Sequence, residues 1–226
     1  MTPLGAAFFD RPTLHVAREL IGALLVHEDA EAGRLVGRIV ETEAYTADDP
    51  AMHGWKALFG TDGLVVPEGR AADLFAAPGT AYLYRVYVVH WLLNVVTEPE
   101  GTAGAVLIRA VEPLEGEGAM AARRPPTLRR RVDLTNGPGK LTQAFAFDGR
   151  LHGADLTRPP VYFARDAASE GPWPVVTSSR IGIARGVERP HRFYVAGHPF
   201  VSPGEPSDRR VARKTHRRGR DGDLGP

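Results

Sequence analysis

Ala81-Tyr82-Leu83-Tyr84-Arg85-Val86-Tyr87-Val88-Val89-His90-Trp91-Leu92-Leu93-Asn94-Val95-Val96 is the stretch on which the fold turns. It is dense in Val, Tyr and Leu, residues that suit a pleated, half-buried surface. Its longest apolar run, Val86 to Val96, is broken by His90 and Asn94 and is too short to span a bilayer. The segment reads as two strands, Ala81 to Tyr87 and Val88 to Val96, with a third at Ala103 to Ala110. Such close spacing leaves no room for a crossover and predicts antiparallel neighbours.

Upstream, Leu35 to Tyr45 reads as a strand rich in β-branched residues, after the turn Glu31-Ala32-Gly33-Arg34. Residues 46–79 are punctuated by Gly, Pro and Asp and predict a long functional loop region. Asp10-Arg11-Pro12-Thr13 opens a helix whose apolar positions are Leu14, Ala17, Leu20, Ile21 and Leu24. Downstream come short helices at Pro113 to Ala122 and Lys140 to Phe147, then strands at Val161 to Ala164, Val175 to Ile183 and Arg192 to Val195. The result is one mixed α/β (α+β) domain over residues 1–204, sheet-heavy in the middle. A basic, flexible tail follows over 205–226.

The chain has 226 residues, 28 Lys+Arg against 27 Asp+Glu, and no Cys. The missing Cys excludes disulfides, iron–sulfur clusters, Cys-ligated zinc and thiol nucleophiles. Met1 to Phe9 lacks the pattern of a signal peptide, so a soluble intracellular (cytoplasmic) protein is expected. The net charge of +1 conceals polarity: the tail from Glu205 carries +3, the rest −2. Arg123, Arg124, Arg129, Arg130 and Arg131 also fall within nine residues. Only Lys56, Lys140 and Lys214 are lysines, and Arg favours bidentate contact with phosphate or carboxylate.

Several side chains invite a chemical reading. Glu41, Glu43 and Tyr45 alternate onto one strand face, ordinary in solvent and costly when buried, unless the acids serve acid–base work. His53 with Asp48 and Asp49 matches no familiar metal spacing. Tyr82 and Tyr84 share a face and either pack the sheet or stack on nucleobases. Asn94 and Arg109 interrupt apolar strands, where an amide needs partners and a guanidinium needs an anion. Asn136-Gly137-Pro138-Gly139-Lys140-Leu141 mimics a phosphate loop but has Leu141 where Ser or Thr is required.

In order and spacing, the blocks Gly37 to Tyr45, His53, Pro78 to Tyr84, Asn94, Val106 to Pro113, Asn136 to Leu141, Arg180 to Ile183 and Arg192 to Tyr194 closely resemble the alkyladenine (3-methylpurine) DNA glycosylases. The resemblance covers about residues 10 to 202. It implies a single-domain fold with a curved antiparallel sheet, and a monofunctional enzyme that flips a damaged purine from duplex DNA and hydrolyses its N-glycosidic bond. No cofactor or metal is expected, and the enzyme is expected to be a monomer whose partner is double-stranded DNA. By resemblance, Glu43 activates the water, which Arg109 and the backbone carbonyl of Ile181 help to hold. Tyr45 and His53 sandwich the flipped base, Tyr84 closes the pocket, and Asn94 crowds the 2-amino group of guanine. Tyr87 would fill the gap in the duplex, while Val88, Val89, His90 and Trp91 depart from the Gly- and Tyr-containing run of the human-type enzyme. Lys140 and the Arg123 to Arg131 cluster are candidates for the DNA backbone. Glu41 is expected to be structural, paired to an Arg.

Two rivals remain open on sequence. A noncatalytic nucleic-acid-binding module, like the tRNA-contacting domain of a formyltransferase, would not require Glu43 and Arg109 in a base-sized pocket. A glycosidase of free nucleosides would have no use for Tyr87 or a basic tail.

Overall fold

The computed structural model describes residues 1–53, 69–86, 89–166 and 171–211. Among these, nine strands form one sheet: β1 (Thr2–Pro3), β2 (Leu24–Asp29), β3 (Gly33–Thr46), β4 (Ala81–Val86), β5 (His90–Val96), β6 (Gly104–Glu115), β7 (Val161–Arg165), β8 (Val175–Ser178) and β9 (Arg192–Val195). Their order is β1-β7-β2-β3-β6-β5-β4, and β9 pairs with both β3 and β8. Every pairing is antiparallel, including β4 with β5, where Tyr82 faces Asn94. The chain is thus a single mixed α/β domain on an open sheet, with few helices: α1 (Ala6–Phe9), α2 (Thr13–Glu19), α3 (Glu117–Ala122) and α4 (Pro138–Ala144).

The long strand β3 organises the molecule. Its first half lies between β2 and β6, its second half between β9 and β6. Residues 35–44 are almost all buried, because both faces of the sheet are covered there. Leu35, Ile39 and Ala44 join the main core with Val16, Ala17 and Leu20 of the α2 segment, while Val36 packs with Leu24, Val26 and Tyr162 in a separate cluster. The ordinary expectation of a solvated acidic face on Glu41 and Glu43 therefore fails: both side chains have no exposed surface.

Several boundaries differ from expectation for identifiable reasons. The helix starting at Thr13 stops at Glu19, and Leu24, which continued its periodicity, begins β2 instead. Gly22, at φ +88°, makes that turn, and its N–H binds the Ile39 carbonyl. The helix expected from Pro113 starts only at Glu117, because β6 runs on to Glu115, pairing Pro113 with Gly37 and Glu115 with Val36. Sheet pairing outweighs the local helical pattern, and a register slip accommodates the proline. The strand expected over 175–183 ends at Ser178, freeing residues 179–183 to build a wall of the site described below. Residues 205–211, read as the start of the tail, pack back on that wall: Pro206 bridges Ile181 and the Ser207 N–H binds the Arg180 carbonyl. No helix among the described residues is long and apolar enough to cross a membrane.

Candidate active site

The centre of the site grows from a slip between β3 and β6. Ile39 pairs with Val111 and Glu41 with Ala110, so Val40 is passed over; Thr42 then pairs with Ile108, so Arg109 is passed over. A bulge of this kind re-aims a side chain, and here one guanidinium reaches both acids. Arg109 Nε lies 2.7 Å from Glu41 Oε1, and Nη1 lies 3.1 Å from Glu43 Oε1.

The two carboxylates have different surroundings. Glu41 is enclosed by protein: Oε1 also accepts from Arg192 Nε at 2.7 Å and Ser202 Oγ at 2.8 Å, and Oε2 accepts from the Ser202 N–H at 2.7 Å. Burial pushes its pKa up, but the charges of Arg109 and Arg192 and the Ser202 N–H outweigh burial and set it below the usual value. Burial also presses on the Arg109 guanidinium, yet Glu43 and Glu41 raise its pKa overall. Glu43 instead lines an open cleft of about 360 Å³. Its Oε1 accepts from the Ile181 N–H at 2.7 Å and its Oε2 from the Tyr45 hydroxyl at 2.9 Å. With Arg109 these occupy three of roughly four acceptor positions on a carboxylate, so one is left for a water. Ile181, expected to contribute its carbonyl to the water, touches Glu43 through its N–H.

Aromatic rings form the walls. The His53 ring stands 4.4 Å from that of Tyr84, and His53 Nδ1 lies 2.6 Å from the Tyr82 hydroxyl. Asn94 donates to the Tyr82 carbonyl at 3.1 Å, which fixes its amide across the β4–β5 pair. Burial first, then the nearby Glu43, pushes the Tyr84 phenol up to about 12 and the Tyr45 phenol well above its ordinary value. Both remain protonated at neutral pH and can donate.

Glu43, Arg109, Ile181, Tyr45, His53, Tyr84 and Asn94 thus all line one cleft, although they are spread over 139 positions of sequence. The backbone-binding candidates lie elsewhere. Lys140 binds Asn136 Oδ1 at 2.7 Å and Asp133 at 3.2 Å, Arg123 pairs with Asp29 at 2.7 Å, Arg130 with Asp133 at 2.8 Å and Arg131 with Glu117 at 2.8 Å. Arg124 bonds to Gln143, while Arg129 is exposed and has no hydrogen-bond or ion-pair partner among the described residues. Tyr87 lies outside the described residues. Among the described residues no cluster of three or more His, Asp or Glu could hold a metal.

Sequence reasoning missed one buried layer. Behind Tyr45, Arg180 and Asp49 form an ion pair in which neither side chain has exposed surface. Asp49 Oδ1 accepts from Arg180 Nη2 at 2.9 Å, Oδ2 accepts from Nη1, and Nη1 also donates to the Ala44 carbonyl. The pair spans 131 positions, and nothing in local spacing announces it. Burial pushes the Asp49 carboxyl up, but its neighbours His191 and Arg180 and the Ala51 N–H outweigh burial and hold it at about 2.

A buried carboxylate and guanidinium thus stand at the foot of a cleft walled by aromatic rings. Comparison with known proteins gives the chain a family. The profile of the methylpurine-DNA glycosylase family matches residues 7–199. Curated relatives named "Putative 3-methyladenine DNA glycosylase" include one from Salinibacter ruber, 61% identical over 92% of this chain and 100% of its own. Those from Chlorobium luteolum (45% identical; 92% and 100% covered) and Chlorobaculum tepidum (39%; 93% and 97%) carry the same name. The chain belongs to the methylpurine-DNA glycosylase family, a family of hydrolases of N-glycosidic bonds.

Proposed function

We propose that the protein is a monofunctional DNA glycosylase that flips an alkylated or deaminated purine out of duplex DNA and cleaves its glycosidic bond with a Glu43-activated water. Substrates of the 3-methyladenine, 7-methylguanine, hypoxanthine and ethenoadenine class fit this reading. The observation that carries it is Glu43 itself: buried, lining the cleft, and bound by Arg109, Ile181 and Tyr45 with one acceptor position to spare.

The bond to be broken joins C1′ of deoxyribose to a purine nitrogen, through a transition state with cationic sugar character. Glu43 takes the proton of the attacking water, and its charge stabilises that sugar cation. A base alkylated at N3 or N7 is already cationic and leaves as a neutral molecule without prior protonation. An aromatic sandwich of Tyr45 and His53 attracts such a ring by cation–π contact, worth about 2 kcal/mol when desolvated. Lyase chemistry would need an amine for a Schiff base. Lys140, the lysine within the described residues, is engaged by Asn136 and Asp133 and does not line the cleft.

The test is single-turnover excision from duplexes carrying each of the four lesions. Release of at least one base is expected, with no borohydride-trapped protein–DNA adduct. If none is released, the reading fails. Cleavage of free nucleosides as readily as of duplex DNA would favour a nucleoside hydrolase instead.

A further inference from the structure

We propose that Asp49 is a specificity-determining residue: by neutralising Arg180 behind Tyr45, it allows that ring to accept a positively charged base. The inference rests on the glycosylase reading and adds a determinant that does not touch the substrate.

An aromatic ring has two faces. Arg180 Cζ stands over one face of Tyr45, 4.6 Å from the ring centroid. Arg180 has no exposed surface and does not line the cleft, whereas Tyr45 does. The covered face is therefore the one turned away from the cleft, and the other is offered to a ligand. Taken alone, this arrangement would oppose the chemistry proposed for it. A cation behind the ring draws on the same π density that a cationic base would use in front. A base stacked at about 3.5–4 Å would also sit about 8 Å from the guanidinium, a separation at which two unit charges in a half-dry site repel strongly enough to cost tenfold or more in rate.

Asp49 removes that conflict. Its two oxygens accept from both terminal nitrogens of Arg180, so the pair carries no net charge. The Ala44 and Gly186 carbonyls hold the guanidinium in place over the ring. A neutral purine carries no charge to be repelled as it stacks, and the electron pair it takes up on leaving would be stabilised, not opposed, by a nearby cation. Asp49 thus sets the balance between cationic and neutral lesions through Tyr45, as a positioning and charge-balancing residue.

The experiment compares single-turnover excision of 7-methylguanine (cationic) and hypoxanthine (neutral) by the full chain. The ratio of the two rates, not either rate alone, is the readout, since a general loosening of the site slows both. Asp49→Asn leaves a buried guanidinium that cannot shed its charge, and the ratio is expected to fall tenfold or more. Asp49→Asn combined with Arg180→Met removes both charges, and its ratio is expected to stay within about threefold of the original. An unchanged ratio in folded Asp49→Asn overturns the proposal. So does a tenfold change in the double variant, which holds no lone charge and tests the idea even where Asp49→Asn does not fold. Excision of neither base by the unmodified chain would overturn the glycosylase reading itself.

Discussion

Two glutamates separated by one residue occupy very different positions, and the difference is testable. Glu43 faces the cleft, and Glu41 is bound on all sides by Arg109, Arg192 and Ser202. Glu43→Gln is expected to lower the single-turnover rate about 10²–10⁴-fold while the protein still binds duplex DNA in a gel-shift assay. Glu41→Gln takes the carboxylate from buried Arg192 and one of two carboxylates from buried Arg109, a kind of loss worth roughly 3–5 kcal/mol of stability. It should lower the midpoint of urea unfolding far more than Glu43→Gln does, and the rate less. An equal loss of rate in the two variants would place both acids in the chemistry. Asp49 gives the pH dependence. Its folded-state pKa of about 2 lies below the model-peptide value of 3.8, so as pH falls the unfolded chain takes up the proton first. Its stabilisation, on the order of 2 kcal/mol, is complete above about pH 4 and is lost as pH falls towards 2. Acid titration of unfolding should show that loss in the original chain and a flatter profile in the double variant lacking Asp49 and Arg180.

At the scale of elements, the slip between β3 and β6 does most to make the site. In uninterrupted register, Arg109 would oppose a residue of β3; passed over, it reaches Glu41 and Glu43 together. The strands themselves are legible from their Val, Ile and Tyr content, but a one-residue slip has no compositional mark, since it depends on which partner strand is met. The same holds for Pro113 to Glu115, whose helical pattern yields to pairing with Val36 and Gly37. Gly116 then turns the chain into α3 at φ +77°, with Leu35 Cδ2 and, at 3.0 Å, the Arg34 carbonyl crowding the place where a Cβ would stand. Gly116→Ala is expected to cost about 1–3 kcal/mol in urea unfolding. Excision per folded molecule should not change, because this turn does not line the cleft.

For the whole molecule, a net charge of +1 is a poor guide to a polyanionic partner. Much of the Arg-rich segment is committed internally, Arg123 to Asp29 and Arg131 to Glu117, whereas Arg129 is exposed. If the segment meets DNA, Arg129→Gln should reduce the slope of log affinity against log salt by about 0.9, the loss of one phosphate contact. Arg123→Gln should instead lower the melting temperature, because Asp29 loses its ion pair with Arg123 and keeps only its other contacts. The order and spacing of motifs along the chain were enough to indicate the family, the mixed α/β class and the residues that gather in the cleft, because each of those residues falls within a block that resembles the family. Sequence could not show that Glu41 and Glu43 are buried, since burial depends on what covers both faces of β3: α2 lies on one side, where the Ala17 carbonyl accepts from Thr42, and the segment around Ser202 binds Glu41 on the other. Nor could it pair Asp49 with Arg180. Ion pairs between residues distant in the chain exist only when the fold closes the distance, so the charge behind Tyr45 was decided by tertiary structure alone.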